Sequence, residues 1–174
     1  MKILLLGSSG QLGQAIIRNF NENVCKFDVI APKKDKLNII NFDECKKFIL
    51  NLKPDWIINA AAFTAVDKAE ETPGIANLIN SEAPRHISKA LKKTGGKLIH
   101  ISTDYVFDGK QDHPWEPYQR PNPLNIYGTT KFLGEKNILE LLDNKSKCII
   151  LRTSGLIGPI GNNFALKILE LIKS

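Results

Sequence analysis

The sequence predicts an α/β fold in which a doubly wound, mostly parallel sheet carries helices on both faces. Three observations lead there. Apolar runs of strand length alternate with longer stretches of helical periodicity along the whole chain, as in repeated βαβ units. The first apolar run passes directly into a glycine-rich turn and then a helical pattern. Later runs end in small or hydroxylated residues, Ala60-Ala61-Ala62 and Ser102-Thr103-Asp104, where parallel strands open onto a crevice. At 174 residues the chain fits one domain, residues 1–174, with a sizeable core.

Lys2 to Leu6 reads as a buried parallel strand because its apolar run is unbroken. Gly7-Ser8-Ser9-Gly10-Gln11-Leu12-Gly13 follows, and then Ala15, Ile16, Ile17 and Phe20 set a helical pattern. Glycines here permit a tight turn and close backbone approach, and a helix N-terminus offers free N–H groups and positive dipole to a phosphate. The spacing is GxxGxxG rather than GxGxxG. A bare glycine turn is the alternative; strand, loop and helix in this order favour a dinucleotide cradle.

Phe27 to Ala31 gives a second strand, followed by Pro32-Lys33-Lys34-Asp35. In Rossmann domains that prefer NAD, an acidic residue after this strand accepts the ribose 2′-OH. Two lysines would instead pair with a 2′-phosphate, which points to NADP; a solvated lysine turn explains them equally. Leu37 to Ile40 reads as a brief third strand, and Phe42 to Leu52 as an amphipathic helix with Asn41 as N-cap. Pro54 ends it, and Trp56 to Asn59 is the next strand.

Ala60 to Glu70 opens with small residues that let a flat ligand lie against backbone. Pro73 to Lys93 is helical in pattern, with Pro84 predicting a kink or restart. Gly95-Gly96 stops it, and Lys97 to Ser102 is a strand that runs into Thr103-Asp104. Those two residues suit either a ligand site or a capped turn. Four prolines between Lys110 and Asn125 make that segment a loop. A helix beginning near Tyr127 follows, then a strand from Lys147 to Arg152 and a last helix from about Asn163 to the end. The default strand order is 3-2-1-4-5-6 with right-handed crossovers.

Composition excludes several classes. A 43% hydrophobic and 24% charged content is ordinary for a soluble globular protein. The net charge of +6 comes from scattered lysines, with no arginine-rich run or interleaved aromatic stripe, so no nucleic-acid role is expected. The opening apolar run is too short for a signal peptide or membrane span. Cys25, Cys45 and Cys148 lack metal-type spacing and read as reduced and structural, which fits a cytoplasmic protein without a metal site.

The chemistry is expected at Tyr127 and Lys131, four residues apart and so on one helical face. A phenol has a reference pKa of about 10, and a nearby cation favours its phenolate. Alone, such a pair is more often surface than site. Its setting changes that: a glycine loop after the first strand and small residues after the fourth address the same crevice.

Several motifs occur in the order found in one family. GSSGQLG, NAAAFTAVDKAE, ISTDYVFDG, YGTTK followed by Gly134-Glu135, and RTS…G…GNNF together resemble the dTDP-4-dehydrorhamnose reductases, of the extended short-chain dehydrogenase/reductase family. The resemblance implies reduction of the 4-keto group of dTDP-4-dehydro-L-rhamnose by NADPH, with NADH as second candidate. It implies pyrophosphate binding by Gly7, Gly10, Gln11, Leu12 and Gly13, adenine contacts at Asn38 and Ile39, and cofactor contacts at Ala61, Ala62 and Thr64. By the same resemblance Tyr127 is the general acid at C4, and Lys131 holds the nicotinamide ribose and lowers the tyrosine's pKa. Thr103 then hydrogen-bonds the sugar carbonyl, with Asp104 beside it in the sugar pocket.

The family commonly has Asp where Asn38 stands and Trp where Gly155 stands. Its members are also considerably longer; the further part holds much of the sugar-nucleotide site and a closing strand. In some members it also holds acidic residues that bind Mg²⁺ between subunits. The expectation is therefore a reductase lacking most of its C-terminal substrate lobe, with a homodimer compatible with the resemblance. The alternatives are a non-catalytic dinucleotide-binding module of the same fold, or a related sugar-nucleotide epimerase or dehydratase.

Overall fold

The structure is a computed structural model that describes residues 1–22, 27–142, 147–161 and 163–173. Cys25, Asn162 and Ser174, used in the sequence reading, lie outside the described residues. Five strands form one parallel sheet in the order β2-β1-β3-β4-β5: β1 (Lys2–Leu6), β2 (Asp28–Ile30), β3 (Trp56–Asn59), β4 (Lys97–Thr103) and β5 (Cys148–Thr153). The chain leaves β1 for one side of the sheet and returns to its other side at β3. The reversal places a crevice above the C-terminal ends of β1 and β3.

One expected strand is absent among the described residues. Leu37 to Ile40 forms turns, because its backbone groups are satisfied locally: Leu37 N–H bonds Lys33 O, Ile40 N–H bonds Asn38 Oδ1, and Asn41 N–H bonds Asn38 O. Leu37, 4% exposed, is still used as core. The order is thus the expected one without its outermost strand, and β2 becomes the edge.

Register decides what faces what. The row Leu4, Ile57, Leu98, Cys148 crosses four strands on one face. Against it pack Cys45 and Ile49 of α2 (Phe42–Leu52), Ile87 and Leu91 of α5 (Ala83–Thr94), and Ile138 of α6 (Ile126–Leu141). Each such fully buried side chain contributes about 1.5–3 kcal/mol relative to exposure. The next row on that face is Leu6, Asn59, His100, Ile150, whose two central members are polar and fully buried. Ile3 and Leu5 point to the opposite face and are 4% and 0% exposed, so that face is covered too.

The remaining helices follow their sequence signals. α1 (Gln11–Glu22) leaves the glycine turn, and Asn41 caps α2 through Glu44 N–H. α3 (Val66–Glu71) and α4 (Pro73–Asn77) are short. A π turn over Leu78–Glu82 separates α4 from α5, the expected interruption at Pro84. Proline has no N–H to offer the Asn80 carbonyl four residues back, so the helix widens there. Gly95, at φ +80°, closes α5. α7 (Phe164–Lys173) starts where Asn163 Oδ1 accepts Leu166 N–H.

Candidate active site

The glycines of the first loop have two different reasons to be glycine. A Cβ on Gly7, whose φ is +83°, would stand 2.5 Å from Ala61 N, and one on Gly13 would stand 2.1 Å from Gly7 O. The protein's own packing forbids side chains at both. On Gly10 the nearest atom would be Gly7 O at 3.4 Å, the edge of ordinary contact. Gly10 is therefore bare toward open space. α1 begins directly after it, so first-turn N–H groups without helical acceptors point the same way.

That space is a cavity of about 260 Å³ lined by Gly7, Gly10, Lys34, Asn38, Ile39 and Ala61, among others. Lys33 is not on its wall; its carbonyl instead accepts the N–H groups of Lys36 and Leu37. Ser8 Oγ donates to Pro32 O at 2.8 Å and ties the glycine loop to the end of β2.

A second cavity, of about 520 Å³, shares Gly10, Ala60 and Ala62 with the first and continues to Gln11, Leu12, Thr64, Thr103, Tyr127 and Lys131. The residues expected to hold an adenosine end and those expected to act at a reacting end thus line two adjoining spaces. Gly13 lies beneath the loop and lines neither; Asp104 opens instead onto a neighbouring cavity of about 550 Å³ with Trp115 and Arg152. Thr103 Oγ1 donates to Asp104 Oδ1 at 3.1 Å.

Helix α6, which carries Tyr127 and Lys131, is held at its N-terminus from three sides. Asn125 Oδ1 accepts Gly128 N–H at 2.7 Å, and Glu70 Oε1 accepts Ile126 N–H at 2.7 Å. Asn80, from the π turn, donates Nδ2–H to Thr130 Oγ1 at 3.2 Å and to Phe63 O at 3.1 Å, while its Oδ1 accepts Phe63 N–H at 2.9 Å. The alanine loop and α6 are therefore fixed to each other. Close contact completes this: a Cβ on Gly128 would meet Tyr105 O, and one on Gly134 would meet Asn80 O, each at 2.2 Å.

Below Tyr127 the interior is unusually polar. Lys131 is 1% exposed, its Nζ donating to Ile101 O at 2.6 Å and lying 3.5 Å from His100 Nε2. Burial lowers its pKa to about 8, with the Glu135 carboxylate opposing. Burial and the neighbouring lysine hold His100 well below the usual histidine range, so it is neutral. Glu135 accepts from Ser102 Oγ and from both Nε and Nη2 of Arg152; Arg152 Nη1 also donates to Pro117 O, anchoring the proline-rich loop. Burial raises the Tyr127 phenol, Thr103 hydrogen bonding works the other way, and Asp104 and Tyr105 add to the rise. In this arrangement the phenol keeps its proton.

The sequence reading singled out neither His100 nor Asn59 as functional, and it passed over Glu70, Asn80, Glu135 and Arg152. One signal was available: His100 interrupts an apolar strand at a position sharing the parity of Leu98, hence facing the core. The partners of Asn80 lie 17 and 50 residues away and that of Glu70 lies 56 away, so they left no local trace.

The fold and this site define a Rossmann-type α/β domain with a tyrosine–lysine pair lining a cavity of its crevice. The chain belongs to the family described as RmlD substrate binding domain, whose model matches residues 1–174. It is similar to the dTDP-4-dehydrorhamnose reductase of Salmonella typhimurium, 43% identical over 99% of this chain and 57% of that protein. It is 36% identical to the Bacillus subtilis spore coat polysaccharide biosynthesis protein SpsK, again over 99% of this chain and 59% of that one. Among solved structures, a dTDP-4-dehydrorhamnose reductase from Bacillus anthracis in complex with NADP superposes with TM-score 0.91 at 35% identity, over 99% of this chain and 60% of that chain. This chain thus spans 57% and 59% of the two curated relatives.

Proposed function

We propose that residues 1–174 form the NADPH-binding, proton-donating domain of a reductase acting on the 4-keto group of dTDP-4-dehydro-L-rhamnose, giving dTDP-L-rhamnose. NADH is the second candidate cofactor. One observation carries the reading: Thr103, Tyr127 and Lys131 line a cavity that joins the glycine-loop cavity through Gly10, Ala60 and Ala62. The names of the curated relatives and the NADP bound in the Bacillus anthracis structure support it. The residues present fit a dinucleotide, because Gly10 is bare where no protein atom requires it and small residues floor the path between the two spaces.

What a bound reduced nicotinamide supplies is a hydride to the carbonyl carbon. The protein must then place a proton on the carbonyl oxygen. Tyr127, held protonated by its burial, donates it, a contribution of about 10²–10⁴-fold in rate. Lys131, one turn away, stabilises the phenolate left behind and is positioned to hold the cofactor's ribose. Thr103, whose hydroxyl donates to Asp104 in this structure, would redirect that proton to the same carbonyl, where a donor aimed at developing negative charge strengthens catalysis further. Asp104, at the rim, would contact the sugar.

The decisive measurement is NADPH oxidation by the purified protein with dTDP-4-dehydro-L-rhamnose. Tyr127→Phe should abolish turnover with cofactor affinity nearly unchanged; undiminished turnover would sink the assigned role. Gly155 favours a second reading. It lines the cavity where the resembling family has tryptophan, and a Cβ there would meet nothing within 4 Å. A non-catalytic dinucleotide-binding module would bind NADPH and never oxidise it with this sugar nucleotide.

A further inference from the structure

The side chain of Gln11 serves the segment that follows β5 rather than the glycine loop it leaves. Its Nε2–H donates to Leu156 O at 3.0 Å, across 145 residues of chain. The partner is a carbonyl, which only accepts, so the orientation of the amide is settled. A Cβ on Gly158 would stand 3.5 Å from Gln11 Nε2, and one on Gly161 would stand 3.1 Å from Gln11 Cβ. Gly161 also sits at φ +83°, so its backbone and its neighbour both call for glycine. The backbone from Leu156 to Gly161 therefore bends closely around this one side chain. Asn163, 6% exposed, fastens the far end: its Nδ2 donates to Gly158 O at 2.8 Å, and its Oδ1 accepts Leu166 N–H. The strap so formed separates two spaces. Gln11, Leu12 and Leu156 border both the cavity of Tyr127 and an outer groove of about 230 Å³ along α1.

We infer that Gln11 is a positioning residue whose side chain latches the strap of residues 154–161 beside the start of α1, and that opening this latch sets how fast a dinucleotide leaves. A diphosphate seated on Gly10 and the first turn of α1 takes backbone N–H groups, the one from Gln11 among them. It then lies next to the strap, because Gly155, Leu156 and Gly161 line the same cavity as Gly10. The side chain of Gln11 holds that wall in place and is not itself a phosphate ligand. The latch is built to open. The strap has no strand or helix between β5 and α7, and Leu156 and Ile157 are 41% and 72% exposed, so little apolar burial holds it down. Glycines at 155 and 161 stand at its two ends, where a segment that swings must change its backbone angles. The inference rests on the dinucleotide reading of the cavity and adds to it the residue that controls exchange.

Hydrogen exchange and stopped-flow fluorescence on the 174-residue chain test this without turnover. In the protein alone, Gln11→Ala and Gly161→Ala should each speed amide exchange over residues 156–161 by roughly three- to tenfold, the worth of one hydrogen bond, and leave β4 and α6 unchanged. With NADPH bound, both variants should release it faster by a similar factor. Gly161 lies on the strap and its added methyl group presses on Gln11, so its effect does not come from a lost phosphate contact. In the double variant, release should be no faster than in the faster single variant, because both changes open one latch. Multiplied effects would make Gln11 an independent ligand and overturn the inference. Unchanged exchange, or unchanged release, in both single variants overturns it as well. If Gly161→Ala does not fold, Gln11→Met, which keeps the packing and loses only the donor, decides by the same two readouts. Wild-type protein that fails to bind NADPH sinks the dinucleotide reading and the latch together. Binding with the expected release rates but no oxidation by the sugar nucleotide sinks the reductase reading alone.

Discussion

Glu70 accepts the backbone N–H of Ile126 at 2.7 Å and so caps the helix that carries Tyr127 from 56 residues away. The bond joins two motifs that the sequence shows only as separate strings, the acidic end of NAAAFTAVDKAE and the start of YGTTK. A carboxylate at a helix N-terminus satisfies an orphan donor and meets the positive end of the dipole. With Asn125 on Gly128 and Asn80 on Thr130, it fixes where the phenol stands relative to the alanine loop.

Replacing Glu70 with Ala should lower stability by about 0.5–2 kcal/mol, the cost of losing an N-terminal helix cap. Urea unfolding at constant m-value is the measurement. Because the cap positions α6 rather than touching any ligand, Tyr127 should also become more accessible, visible as faster nitration by tetranitromethane. A variant with an unchanged midpoint would show that Asn125 alone suffices.

The three glycines of the loop should separate by experiment. Gly13→Ala places a methyl group where Gly7 O leaves only 2.1 Å, so the loop must move and the protein should be destabilised by several kcal/mol or fail to fold. Gly10→Ala should leave the melting midpoint near the wild-type value and weaken NADPH binding roughly tenfold or more, because its methyl group projects into the ligand path. Equal thermal losses in the two variants would contradict the division into packing and binding glycines.

The elements legible in the sequence were those with local causes. Unbroken apolar runs marked the central strands, Pro84 marked the helix break, Gly95 its later stop, and Asn41 its helix start. Leu37-Asn38-Ile39-Ile40 has the apolar residues of a short strand, but Asn38 makes it a turn: its side chain accepts Ile40 N–H and its carbonyl accepts Asn41 N–H. At the site, Tyr127, Lys131 and Gly10 could be found because their spacing is itself the signal. Asn59, His100 and Glu135 could not be assigned partners, since their pairing depends on strand register and on which face α6 covers.

Lys34 rather than Lys33 should read the 2′-phosphate, since only Lys34 lines the cavity beside Asn38 and Ile39. Lys34→Ala should weaken NADPH binding roughly tenfold, the worth of one charge-assisted contact, and leave NADH nearly unaffected. Lys33→Ala should change neither. Paired fluorescence titrations with the two cofactors check this; a wild-type preference for NADH would remove both lysines as phosphate readers.

Lys131 should leave its mark on the pH dependence of stability. Its pKa is about 8 folded against a model value of 10.5, so between those values the unfolded chain binds a proton that the folded chain does not. Stability must then rise with pH across that window, by up to about 1.4 kcal/mol per unit, and the gain is lost as pH falls through 8. Other groups oppose it. Burial raises Cys45 from 9.0 to about 11 and raises Tyr127 above 10.0, so each is protonated longer when folded and each lowers stability as pH climbs through its window. The wild-type profile alone therefore mixes signs. Subtracting the profile of Lys131→Met cancels the cysteine and tyrosine contributions and isolates the lysine. The difference in unfolding free energy, wild type minus variant, should increase steadily from pH 8 to pH 10; a flat difference would mean that Lys131 keeps an ordinary lysine's proton affinity inside the fold.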